Sequence, residues 1–173
     1  MLRDATPADF TAILALNQTF VAVLSPLDRA RLASLHAAAA VHRVIERDGC
    51  VEAFLLAFRE GADYDGANYH WFARRYPRFL YVDRIVVAAS AQARGCGRRL
   101  YHDVGIEAAR RGVPLIACEY DIEPPNPSSA RFHGRLGFRE VGRRQLGGGK
   151  WVSMQLLELA PGMSGEAAAG PVA

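Results

Sequence analysis

Cysteine is scarce in this chain. There are 3, Cys50, Cys96 and Cys118, and no Cys-x-x-Cys pair among them. That spacing supports neither a zinc site nor a disulfide framework, and it fits a reducing compartment. No apolar run approaches the roughly 18 residues of a membrane-spanning helix. The opening stretch MLRDATPADF carries charges where a secretion signal needs an apolar segment. The expectation is a cytoplasmic protein with no metal site and no membrane partner. Excess charge is also small, +3 over 173 residues. It permits an anionic ligand but does not by itself argue for nucleic acid, which is not an expected partner. No internal repeat is present. What the chain does have is a 50% hydrophobic composition, enough for one well-buried core.

The pattern along the chain alternates between helical and strand periods. Thr6, Pro7 and Asp9 form a helix-start signal before ADFTAILALN, and Ser25, Pro26 and Asp28 repeat it before RARLASLHAAAA. Asp48-Gly49 is a two-residue hairpin turn between VHRVIE and CVEAFLLAF. A polar, aromatic-rich loop follows from about 61 to 77. FLYVDRIVV reads as a buried strand, GRRLYHDVGIEAARRG as a helix closed by Gly112, and VPLIACEY as another buried strand. PSSARFHGRL is a short helix ended by Gly137. FREVGRRQL and KWVSMQLLEL form a final hairpin around the glycines at 147 to 149. A short strand at Leu2 and Arg3 completes the order. This predicts an α/β (α+β) fold, a mixed sheet of about six to seven strands with helices on both faces and parallel pairing across the central helix. Residues 1–160 are expected to form one domain and 161–173 a disordered tail.

The junction QARGCGRRL, from Gln92 to Leu100, carries the first chemical signal. A glycine-rich turn entering a helix exposes unpaired backbone N–H groups at the positive end of the helix dipole, and these attract phosphate. Gly95 and Gly97 allow the backbone to approach an anion, and Arg94, Arg98 and Arg99 add positive charge. The ligand this chemistry calls for is a pyrophosphate. A Gly-x-Gly before a helix is common, so the strand before it and the clustered arginines carry much of the weight. A dinucleotide-binding βαβ unit is disfavoured, because its third glycine would fall at Leu100.

Two motifs together resemble the GNAT superfamily of N-acetyltransferases. Gln92, Gly95 and Gly97 match its Gln/Arg-x-x-Gly-x-Gly/Ala turn. Asn126 followed by FHGRLGF, Phe132 to Phe138, matches its second motif, and the element order agrees over about residues 1–160. The resemblance implies a transferase that takes acetyl-CoA as co-substrate, bound over Gln92, Arg94, Gly95, Cys96, Gly97 and Arg98. It also implies that the pantetheine arm pairs with the backbone of Val86 and Val87, where the central strand splays from its neighbour, and that Asn126 contacts it. Asn126 before Pro127 equally reads as a helix cap. The acetyl acceptor would be a primary amine that attacks directly with general-base help. The alternative is a non-catalytic acyl-CoA-binding or sensing module of the same fold. A homodimer is left open.

Acetyl transfer to an amine requires proton removal near neutral pH. Asp83 interrupts an apolar strand and is the first candidate base; Glu119 at the end of LIACEY is the second. Arg84 is a poor ionic partner for Asp83, because adjacent strand residues face opposite ways. His133 stands where the family often carries the tyrosine taken to protonate the departing thiolate, and imidazolium could serve instead. Cys118, in an apolar strand, reads as core. The aromatic loop offers Asn68, Tyr69, Trp71 and Phe72 as walls and anchor of an acceptor pocket, with His70 as a second polar anchor; the alternative is a satellite core. Arg74, Arg75 and Arg78 favour a small amino acid-like or amine metabolite bearing an acid group.

Overall fold

A computed structural model of the protein describes residues 1–20 and 24–160; the expected tail at 161–173 lies outside the described residues. The strands are β1 (Leu2–Asp4), β2 (Val41–Arg47), β3 (Cys50–Arg59), β4 (Leu80–Val87), β5 (Leu115–Glu123), β6 (Arg139–Gln145) and β7 (Trp151–Glu158). The α-helices are α1 (Phe10–Thr19), α2 (Arg29–Ala38), α3 (Ala67–Ala73), α4 (Cys96–Arg110) and α5 (Pro127–Leu136). The sheet runs β1-β2-β3-β4-β5-β7-β6. It is antiparallel except for β4 with β5, the parallel pair that α4 bridges. This is the expected mixed sheet. No described helix is long and apolar enough to cross a membrane.

Local chemistry sets the boundaries. Asp48 and Gly49 both take positive φ, 50° and 77°, the turn whose twist suits a two-residue hairpin. Asp28 Oδ1 accepts the Arg31 N–H at 2.7 Å and caps α2. Gly137, at φ 91°, closes α5 in the left-handed conformation that other residues avoid. Within the stretch expected to be a loop, Ala67–Ala73 forms α3. Its aromatic residues at 69 and 72 then share one buried face, which is helical spacing that a loop reading hides.

The core divides across the sheet. On one face α4 brings Leu100, Tyr101 and Val104, and the turn after α5 brings Phe138, against Leu55, Leu80, Val82, Ile116 and Cys118. On the other, α1 and α2 cover Val44, Phe54 and Val86, and α3 inserts Tyr69 and Phe72 beside Phe58, Phe79 and Tyr81. Phe72 is fully buried, so its replacement by Ala should cost about 3–5 kcal/mol. The sheet therefore separates two chemical environments, an α4/α5 face and an α1/α2/α3 face.

Candidate active site

β4 and β5 pair only at Leu80 with Ile116 and at Tyr81 with Ala117. Beyond that point they diverge. A bulge accompanies the divergence: Ala57 opposes Val82 and Leu56 opposes Arg84, leaving Asp83 as the extra residue. Bulges bend a strand and break its side-chain alternation. On the far side of β4 the Ala88 N–H donates to Glu52 O, and Val86 and Val87 lie opposite Phe54 and Ala53. Antiparallel alternation then ties Val86 to β3 and turns the backbone groups of Val87 into the split. Of the two backbones expected to meet a pantetheine arm, Val87 faces the opening and Val86 does not.

The glycine turn sits at the outer end of that strand. Ala93 and Gly95 both take positive φ, 64° and 77°, and α4 starts at Cys96. Arg99 N–H closes the first helical turn onto Gly95 O. The N–H groups of Ala93, Gly95, Cys96, Gly97 and Arg98 have no acceptor among the described residues, so they form a set of donors suited to a pyrophosphate. Unpaired amides at the turn and unpaired strand groups in the split fit acetyl-CoA. The surrounding residues are used differently than the sequence suggested. A Cβ on Gly97 would lie 2.9 Å from Phe132 Cζ, so this glycine admits α5 rather than the anion. Gly95 has open space at that position and needs glycine for its φ. Arg94 donates to Glu52 at 3.0 Å and to Ser90 O at 2.7 Å, while Arg98 is exposed at the rim. Gln92 is exposed and Cys96 buried under the turn. Asn126 caps α5, its Oδ1 accepting from Ser129 N–H at 3.1 Å.

On the α1/α2/α3 face two carboxylates flank the split in very different settings. Asp83 accepts from Arg84 Nε at 2.6 Å and from the Tyr64 hydroxyl. Arg84 in turn donates to Asn17 Oδ1 on α1 at 2.9 Å. The ionic partner excluded by strand alternation is thus the actual one, because the bulge turns both side chains to the same face. Glu119 has no cationic partner among the described residues. Its Oε1 accepts from Asn68 Nδ2 at 2.8 Å and from the Tyr81 hydroxyl at 2.9 Å. Its Oε2 is buried with no hydrogen-bond partner. Burial lifts the Glu119 pKa to about 7, opposed by the Asn68 hydrogen bond and reinforced by the charge of Asp83. A carboxyl poised near neutrality with a free oxygen is what a general base for an amine requires.

His133 is placed in the core, 4% exposed. Its Nδ1–H donates to Ser129 O at 2.9 Å, since a carbonyl can only accept, and its Nε2 accepts from the Tyr101 hydroxyl at 2.9 Å. Burial lowers its pKa. Both nitrogens are engaged inside the core, and burial disfavours the imidazolium that its expected role as proton donor requires. The Cys118 thiol, beside Tyr101, is pushed well up by burial, consistent with a core residue.

The aromatic segment also divides. Tyr69 and Phe72 are core, Tyr69 hydrogen-bonding Arg59 O and Ala62 N–H at 2.8 Å each; as pocket walls they are corrected, for α3 buries that face. Trp71 leans on Gly142, where a Cβ would meet its ring at 2.8 Å, and carries Arg75 stacked 3.9 Å above. Arg78 donates to Arg111 O, and Arg74 and His70 are exposed. Asn68 alone of the four reaches the split. The sequence reading missed Tyr81, Asn17 and Arg144, whose Nη1 donates to Asn68 Oδ1 at 2.9 Å. Nothing local marks Arg144: it sits in a basic hairpin whose position beside β5 depends on β7 inserting between β5 and β6.

A split parallel pair, a donor-lined turn and a near-neutral glutamate are features that an acyl-CoA-dependent transferase requires. The chain belongs to the acetyltransferase (GNAT) family, whose model matches residues 14–138; its members are acetyl-CoA-dependent N-acetyltransferases. Solved structures share the fold. A ribosomal-protein-alanine N-acetyltransferase from Brucella melitensis is 21% identical with TM-score 0.68, over 92% of this chain and 99% of that one. A putative acetyltransferase from Salmonella typhimurium, determined with its cofactor acetyl-CoA, is 21% identical with TM-score 0.71, over 97% and 98%. An N-acetyltransferase from Staphylococcus aureus Mu50 is 20% identical with TM-score 0.69, over 92% and 98%. No curated protein matches the chain by sequence.

Proposed function

We propose that this protein acetylates the primary amine of a small amino acid-like or amine metabolite, with Glu119 as general base. Acetyl-CoA supplies the activated acyl group. The free N–H groups of Ala93, Gly95, Cys96, Gly97 and Arg98 hold its pyrophosphate, and the Val87 backbone aligns the arm in the split. The amine meets Glu119 from the α1/α2/α3 face. Glu119 Oε2 takes the proton that an amine must lose before or during attack. Tyr81 and Asn68 fix the other carboxylate oxygen, so the free one keeps its aim. Asp83, paired with Arg84, holds the guanidinium that brackets β4 to Asn17 on α1.

The observation that carries this reading is the buried, partnerless Oε2 of Glu119 beside the opening of the sheet. The test is release of coenzyme A thiol from acetyl-CoA with a panel of amines. The wild type should turn over at least one small amine. Glu119→Gln should bind acetyl-CoA normally and lose about 10²–10⁴-fold in kcat. Glu119→Gln at wild-type rate would refute the assignment.

A further inference from the structure

Arg144 is exceptional among the basic side chains. Every other arginine or lysine that is at least partly buried among the described residues, Arg3, Arg43, Arg59, Arg84 and Lys150, has a carboxylate partner. Arg144 is partly buried on β6 and has none among the described residues. Its sole recorded bond runs from Nη1 to Asn68 Oδ1 at 2.9 Å, leaving Nε and Nη2 undirected. The Asn68 amide then continues to Glu119 at 2.8 Å. One side-chain amide thus separates a guanidinium lacking a counter-ion from a carboxylate with an unpartnered oxygen.

Each of these groups is costly alone. A partly desolvated guanidinium favours a planar, bidentate anion, and a buried carboxylate oxygen favours an N–H donor. One ligand satisfies both if it carries an amine and a carboxylate close together. We infer that Arg144 is the specificity-determining residue of the acceptor site, and that the acceptor is a free amino acid with its carboxylate on Arg144 and its amine at Glu119 Oε2. This rests on the reading of Glu119 as base and narrows its acceptor to amino-carboxylates. It also explains why the nearby arginines at 75 and 78 are not needed: Arg75 is stacked on Trp71 and Arg78 tied to Arg111 O.

The same reasoning excludes amines whose neighbouring carboxyl is blocked. A carboxamide or a peptide amide keeps the amine but removes the charge that Arg144 is placed to receive. Asn68 is the positioning residue between the two halves, since it cannot bond Glu119 and Arg144 in this orientation if either moves away.

The experiment measures kcat/KM for amino acids, their carboxamides, the corresponding decarboxylated amines and a short peptide with a free N-terminus. Free amino acids should lead their carboxamides by about tenfold or more, the scale on which sites reject an analogue lacking a matched polar group. Arg144→Gln should collapse that ratio towards one, chiefly through acceptor KM, and Arg144→Lys should restore part of it. Arg143→Gln, which removes an exposed neighbour paired with Glu140, should leave the ratio intact. Carboxamides or the peptide matching the free acids in the wild type, or a ratio that survives Arg144→Gln, overturns the inference while leaving Glu119 as base. A wild type that binds acetyl-CoA yet acetylates none of these amines overturns both.

Discussion

Asp83 and Arg84, adjacent in the chain, form a buried ion pair with Arg84 Nε 2.6 Å from Asp83 Oδ2. The geometry exists because the β4 bulge cancels the alternation that would send the two side chains to opposite faces. Breaking such a pair leaves a buried charge without compensation, which typically costs about 3–5 kcal/mol. Asp83→Asn should therefore lower the thermal midpoint markedly. It should also remove the negative charge that helps raise Glu119, moving the ascending limb of the rate profile to lower pH. A stable Asp83→Asn protein that lacks that limb altogether would instead make Asp83 the base.

His133→Phe separates packing from proton donation. The substitution keeps the ring stacked on Tyr120 but removes the imidazole's hydrogen bonds with the Tyr101 hydroxyl and the Ser129 carbonyl. A loss of about 1–3 kcal/mol of stability is expected, with kcat within a few fold of wild type at temperatures where the protein is folded. A drop of a hundredfold or more in kcat would restore His133 as the acid.

Gly95→Ala tests the anion turn. Gly97 is unsuitable because its neighbour Phe132 would be displaced. At φ 77° a side chain costs about 1–2 kcal/mol, which the chain can relieve by opening the turn. The dissociation constant for coenzyme A, read by calorimetry, should rise about tenfold. Unchanged affinity would place the pyrophosphate elsewhere.

A second buried imidazole governs acid stability. His42 Nδ1 lies 2.8 Å from His36 Nδ1, and its Nε2 has no partner. Burial first, and the His36 charge second, lower the His42 pKa from 6.5 to about 4. A depressed histidine means that the unfolded chain binds the extra proton between those values and the folded one does not. Stability should thus be full above about pH 6.5 and fall as pH drops towards 4, by about 3 kcal/mol from this group. Denaturant titrations of wild type and His42→Leu should show that slope reduced in the variant. An unchanged slope would contradict it.

Much of the framework was legible in the sequence. Asp48-Gly49, Gly112 and Gly137 marked ends, and QARGCG after an apolar strand marked the glycine turn that opens α4. The parts that were not legible share a cause, dependence on tertiary register. The Asp83–Arg84 pair needs a bulge, which no local pattern announces. Arg144 reaches Asn68 only because β6 pairs outside β7 and α3 packs beside it. Tyr69 and Phe72 read as loop aromatics because α3, at seven residues, is too short for a periodic signal. Glu119 was visible as a candidate, but its rank over Asp83 depended on partners far away in sequence.

The most direct test of the central claim is the pH dependence of kcat/KM for a turned-over amine in wild type and Glu119→Gln. A base must be deprotonated, so the wild-type rate should rise with pH through an inflection near 7, the value burial gives Glu119. After correction for the ionisation of the free amine, that inflection should vanish in Glu119→Gln. An inflection near 7 that persists in a folded, acetyl-CoA-binding Glu119→Gln protein would contradict the account.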